Sequence, residues 1–237
     1  MGDVDLSIEM IERILPLWEE SEKIGKASTI NVYAEMLSLK GNYDYAQRLC
    51  FDALDIYMGL GEEKLSAMQL GKIARIKSIR GDVDEALKLH QEELDVYEKL
   101  GDTRSKAVTL GDIARIKVDK GEVDEALKLH QERIQIFEKL GDLDGRANTL
   151  WSMSRILLQK KEFQKAFEYL TESYQINLKL GRLDGICFVG VDLGILLCQA
   201  NQKEEGLKIL ERSRDGFKKL GQKEISAQIE EIIKQFR

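Results

Sequence analysis

The chain has 237 residues, 43% of them hydrophobic, 33% charged and a single one proline, the composition of a folded protein and not of a disordered or linker-rich one. Its formal charge of −6 argues against nucleic acid as a partner, which needs a basic footprint on one face. No apolar run nears the roughly 18 residues of a membrane span. Met1 to Met10 lacks the basic start and apolar block of a signal peptide, and Leu6 stands where a myristoylation motif on Gly2 needs Ser or Thr. A cytoplasmic location without membrane contact is expected.

In chain order, Asp3 to Ile24 reads as one helix. A bend is expected at Pro16, because proline inside a helix removes a hydrogen bond. Next comes a lattice of glycines at a twenty-residue spacing: Gly41, Gly61, Gly81, Gly101, Gly121, Gly141, Gly181 and Gly221, with Lys161 and Asn201 in the two remaining places. Of those two, asparagine also tolerates a left-handed backbone. Small residues recur at twice that spacing. One column is Ala34, Ala74, Ala114, Ser154 and Gly194; another is Ala46, Ala86, Ala126, Ala166 and Gly206. Fixed self-similarity of this kind marks a stacked repeat architecture, and such arrays form one elongated domain. The predicted organisation is a single repeat domain over 1–237. It has an N-terminal helix over 1–25, five repeats of about forty residues over 26–221 and a capping helix over 222–237.

Each repeat has two unlike halves. GDVDEALKLHQEELDVYEKL from Gly81 and GEVDEALKLHQERIQIFEKL from Gly121 share fourteen of twenty letters, and the segments from Gly61 and Gly101 share IARIK. Both kinds of half read as helices. Val123, Ala126, Leu127, His130, Ile134 and Phe137 return mostly at steps of three or four, the amphipathic helical period. Leu100-Gly101-Asp102 supplies a last apolar residue, a glycine for the left-handed C-terminal turn and an aspartate to cap the next helix. Turns this short make neighbouring helices antiparallel. At the far end Ile225, Ile229, Ile232, Ile233 and Phe236 form an apolar stripe that seals the last open face. A capped array of this kind is expected to be a whole domain.

These motifs resemble those of tetratricopeptide repeat proteins, in a variety with a unit of about forty residues. The resemblance rests on the small residue of the first helix, the turn glycines Gly41, Gly81 and Gly121, and the early alanine of the second helix. It also rests on the late aromatics Tyr57, Tyr97, Phe137 and Phe217. The family's early tryptophan, mid-helix tyrosine and closing proline are absent. The resemblance implies an all-α fold of helical hairpins stacked into a right-handed superhelical solenoid.

Little in the chain suggests chemistry. His90 and His130 hold one register of successive repeats, and no Cys or carboxylate cluster completes a metal site around them. Cys50, Cys187 and Cys198 are too scattered for a disulfide framework. No phosphate-cradling loop appears, because each lattice glycine sits in a helix turn, and no nucleophile stands with its base. The expectation is a non-enzyme with no cofactor and no metal.

The resemblance also implies that first helices line a concave groove. On this sequence that places Arg75, Arg115 and Arg155 in the groove, each directly after a small residue, with Lys72, Asn148 and Trp151 beside them. At about 10 Å per repeat, three arginines cover about 20 Å, or about six residues of extended chain. Guanidinium groups offer planar forks suited to carboxylate or phosphate. The expected function is therefore an adaptor that holds an acidic or carboxylate-bearing protein or peptide segment. Other readings stay open. Asp112 and Asp119 could neutralise Arg115 within its helix, and Asp112 could serve Arg75. Gly71 and Gly111 could admit either a neighbouring helix or a ligand backbone. Trp151, Phe188 and Met68 could be anchors or core. The array could also be a sensor that changes shape on ligand binding to control an effector in trans, or a self-assembling scaffold.

Overall fold

Helix ends follow the glycine lattice. In the computed structural model, which describes residues 2–237, every lattice glycine has positive φ, between 67° at Gly101 and 89° at Gly81. Lys161 and Asn201 adopt the same left-handed conformation, at 61° and 64°. At Gly101 the glycine N–H donates to the Glu98 carbonyl at 3.1 Å and the Asp102 N–H to the Tyr97 carbonyl at 2.9 Å. This is the bond pair of a Schellman turn, which satisfies carbonyls that a helix end leaves unpaired. Asp102 then opens the next helix by accepting from the Ser105 backbone at 3.0 Å and its hydroxyl at 2.9 Å.

All described elements are helical. The first compact unit, Met1–Asp119, contains α1 (Gly2–Ile14), α2 (Lys23–Leu39), α3 (Tyr43–Gly59), α4 (Glu63–Ile79), α5 (Val83–Leu100) and α6 (Thr103–Asp119). The second, Lys120–Arg237, contains α7 (Val123–Leu140), α8 (Leu143–Gln159), α9 (Phe163–Leu180), α10 (Leu183–Gln199), α11 (Lys203–Lys219) and α12 (Lys223–Phe236). From α2 onward, helices begin at twenty-residue steps. Among the described residues no helix is long and apolar enough to cross a membrane.

In the first unit, α2 packs on α3 and α4 on α5. Ala34 and Ala46 lie in one core cluster with Tyr57 and Ile73, and Ala74 and Ala86 meet Ile116 in another. In the second unit the small columns reach glycine. A Cβ on Gly206 would fall 2.6 Å from the Gly194 carbonyl oxygen, so α10 and α11 touch backbone to backbone. Ile229 and Ile233 of α12 close over Leu210 and Phe217.

The predicted helix from Asp3 to Ile24 is instead broken; Met1, at the head of that segment, lies outside the described residues. After α1 come two 3-10 turns, Leu15–Leu17 and Glu20–Glu22, with Pro16 at the start of the first. Trp18 between them is extended, at φ −69° and ψ 126°. Its indole N–H donates to the Thr29 hydroxyl at 3.1 Å, and its ring occupies the space that a Cβ on Gly25 would need. Proline therefore ends the helix, and tryptophan docks the reversed chain onto α2.

Two stability predictions follow from these elements. Lys161 bears a side chain in a conformation that costs a non-glycine residue roughly 1–2 kcal/mol. Lys161→Gly is expected to raise the unfolding free energy by about 1 kcal/mol, measured by urea titration. His130 is only 4% exposed, and the Arg133 guanidinium donates to its Nδ1 at 3.1 Å. Burial, then the Arg133 charge, push its pKa from 6.5 to about 4. The unfolded imidazole protonates near pH 6.5 and the folded one only near pH 4, so this contribution is intact above pH 6.5 and fades as pH falls. Between pH 7 and pH 5 it should cost about 2 kcal/mol. His130→Gln should lose correspondingly less stability over that interval, and an equal loss would contradict the assignment.

Candidate functional site

Ala74, Ala114 and Ser154 are fully buried. A helix turns about 100° per residue, so the residue after each of them emerges at the margin of the core. Arg75 on α4 is half-buried there, while Arg115 on α6 and Arg155 on α8 are exposed.

The first two share a partner. Arg75 Nε and Nη2 each lie 2.8 Å from Asp112 Oδ2, and Arg115 Nη2 lies 3.2 Å from Asp112 Oδ1. The Asp112 side chain is 13% exposed. Both Asp112 pairings left open by the sequence therefore occur, on the two oxygens of one carboxylate. Burial works against the charge on Arg75, but Asp112 outweighs it and holds the guanidinium pKa above its usual value. Two cations share this one carboxylate, and the buried Glu93 carboxylate also acts on Arg75.

Lys72, one turn before Arg75, donates to Glu35 and Asn31 of α2. Gln69 also donates to Asn31, at 3.0 Å. The side chains of α2, α4 and α6 that meet in these bonds thus form one polar face of the first unit.

In the second unit, Trp151 is half-buried and its indole N–H donates to Asp192 Oδ2 of α10 at 2.7 Å. The Arg155 guanidinium carbon lies 5.6 Å from the indole ring centroid, within cation–π range. Phe188 lies 5.7 Å from the same ring and 4.8 Å from Phe217, edge-on. Burial raises the Asp192 pKa, and the Trp151 hydrogen bond and the Arg155 charge pull it back. Asn148 is exposed on the same helix, and its backbone carbonyl accepts from the Ser152 hydroxyl at 2.9 Å. Asp192 is the residue that sequence reasoning missed. Its signal was an aspartate inside the otherwise apolar run of α10, from Ile186 to Cys198.

Gly71 admits a neighbour and not a ligand. A Cβ there would fall 2.3 Å from Glu93 Oε1, and Glu93 is a buried carboxylate 2.9 Å from His90 Nδ1. The three cysteines are buried and unpaired. Among the described residues no three His, Cys, Asp or Glu side chains are grouped to hold a metal.

The tetratricopeptide repeat family model matches residues 64–139 and 105–179. No curated protein matches the chain in sequence. Among solved structures, BtubC from P. vanneervenii is similar over 93% of this chain and 90% of its own, with 15% identity and a TM-score of 0.72. The Rap conjugation gene regulator of a plasmid, in complex with a Phr peptide, is similar over 92% of this chain and 60% of its own, with 16% identity and a TM-score of 0.77. A Rap protein complexed with competence and sporulation factor is similar over 100% and 72%, with 17% identity and a TM-score of 0.72. At these identities the likeness is one of fold.

Gly71→Ala should gain helix propensity of up to about 1 kcal/mol, yet it displaces a buried carboxylate from its histidine. A net loss of about 1–2 kcal/mol is expected in urea unfolding. In a Glu93→Ala background the same substitution should become neutral or stabilising, and a loss of the same size in both backgrounds would show that Glu93 is not the obstacle.

Proposed function

We propose that this chain, which belongs to the tetratricopeptide repeat family, is a non-catalytic interaction scaffold whose first helices grip a carboxylate-bearing partner segment in a concave groove. The observation that carries this reading is the shared carboxylate: Asp112 pairs with both Arg75 and Arg115, so one anion orients two guanidinium groups without using all of their donors. A guanidinium has five donors, and Asp112 engages two of those on Arg75. The rest suit an incoming carboxylate, in the bidentate geometry that favours arginine over lysine.

Arg155, Asn148 and Trp151 belong to the same reading in the second unit, where Trp151 and Arg155 present a cationic, aromatic surface. Aromatic residues and arginine dominate binding hot spots. Support of a coarser kind comes from the Rap conjugation gene regulator, which has this fold and is in complex with a peptide. Partner recognition of this kind would draw specificity and association rate, more than affinity, from its charges.

The test is capture from a lysate of the protein's own source, comparing wild type with Arg75→Glu/Arg115→Glu/Arg155→Glu, both shown to be folded by circular dichroism. A partner retained by wild type and released by the charge-reversed protein is the expected result. The same partner held equally by both would place the interface elsewhere and reduce the arginines to structural ion pairs.

A further inference from the structure

One register of the first helices departs from its column. At their C-terminal ends Asp119, Gln159 and Gln199 are polar and exposed. In the two earlier repeats the same register holds Leu39 and Ile79, which are 73% and 59% exposed. Single exposed apolar residues are ordinary. These two border one cavity of about 420 Å³, which lies wholly within the first unit among α2, α3 and α4. Buried Cys50 and Ile76 line it, and Lys72 and Arg75 stand on its wall. Burial pushes the Cys50 thiol up to about 11, so that part of the lining is neutral at pH 7.

The cavity therefore joins apolar surface to two cations, Lys72 and Arg75, and one carboxylate, Glu35. Lys72 is largely buried, whereas its partner Glu35 is half exposed, so an incoming carboxylate can reach Lys72 by displacing an exposed side chain. Beyond the cavity the row of cations continues to Arg115 on α6, which shares Asp112 with Arg75. A ligand with further carboxylates along an extended backbone matches that layout better than an amphiphile with a single charged head.

We infer that this cavity receives one bulky apolar side chain of an extended partner peptide, with a neighbouring Asp or Glu of that peptide paired to Lys72 and Arg75. The inference rests on the scaffold reading above and gives the partner segment a chemistry: apolar beside acidic. The apolar residue would supply most of the affinity by leaving water, and the carboxylate would fix register and direction.

The full chain is tested against an array of synthetic hexapeptides. Each carries one leucine, methionine or phenylalanine one to three positions from an aspartate or glutamate, in a glycine–serine background. Controls replace the apolar residue by serine or the acid by its amide. Expected hits need both features, and their affinities are then measured by fluorescence anisotropy. Leu39→Ser/Ile79→Ser changes exposed residues only, so the fold should survive, as circular dichroism would verify. Binding should weaken about tenfold or more, and Lys72→Gln should weaken it comparably for acidic peptides but not for their amides. An array without hits that need the apolar residue overturns the inference, as does unchanged binding to the double serine variant. Peptides that bind through acids alone, and are lost on charge reversal, would leave the scaffold reading standing while the cavity assignment falls. If the serine variant instead abolishes a concentration-dependent dimer, the patch is covered by a second copy and the inference falls.

Discussion

Close approach of paired helices at small residues is the constraint on which the rest depends. Ala74 and Ala86, like Ala34 and Ala46, are 0–1% exposed, and at Gly194 and Gly206 even a methyl group would meet backbone. Such contacts fix where each helix sits and how it is rotated. That rotation decides which side chains reach the margin of the core, because the next residue lies about 100° around. Arg75, Arg115 and Arg155 owe their position to the small residues before them. A larger residue at those places would force the helices apart and move the arginines with them.

The charges at that margin are arranged with different logic at different depths. Glu93 is buried against His90 beneath Gly71, a packed pair that is not available to a ligand. The same register of the second unit carries Arg133 against His130, a reversal of sign, and there burial and then the Arg133 charge lower the imidazole pKa to about 4. Nearer the surface, Asp112 holds two arginines at once. Asp112 is mostly buried, so its desolvation offsets much of what this cluster gains from the two pairs. Its consequence is orientation: guanidinium groups held in place bind an anion with less loss of side-chain freedom.

Much of this was legible in the sequence, because repetition turns one local rule into several independent observations. The glycine column marked every left-handed helix end except those at Lys161 and Asn201; asparagine suits that conformation, whereas the residue type at Lys161 gave no sign of it. The Asp112 pairings were readable as alternatives, but that both occur depends on how closely α4 and α6 approach. Trp151 to Asp192 was not readable, since a bond across 41 residues requires the packing of two first helices to be known. Nor was the break after Ile14. Pro16 alone suggests a bend, whereas the observed reversal also needs Trp18 to dock on Gly25. Exposed Leu39 and Ile79 did carry a signal, two apolar letters in an otherwise polar column, but only the cavity gives that signal a meaning.

The central claim is that the face of α4 and α6 recognises carboxylates. Its most direct test is a titration of isotope-labelled protein with a hexapeptide of glutamate, followed through the arginine Nε–H signals by nuclear magnetic resonance. Saturable shifts at Arg75 and Arg115 are predicted, shrinking with added salt because the contact is charge-driven. Shifts confined to arginines of the second helices, such as Arg48 on α3 and Arg214 on α11, or none at all, would contradict the account and leave the arginine cluster as packing alone.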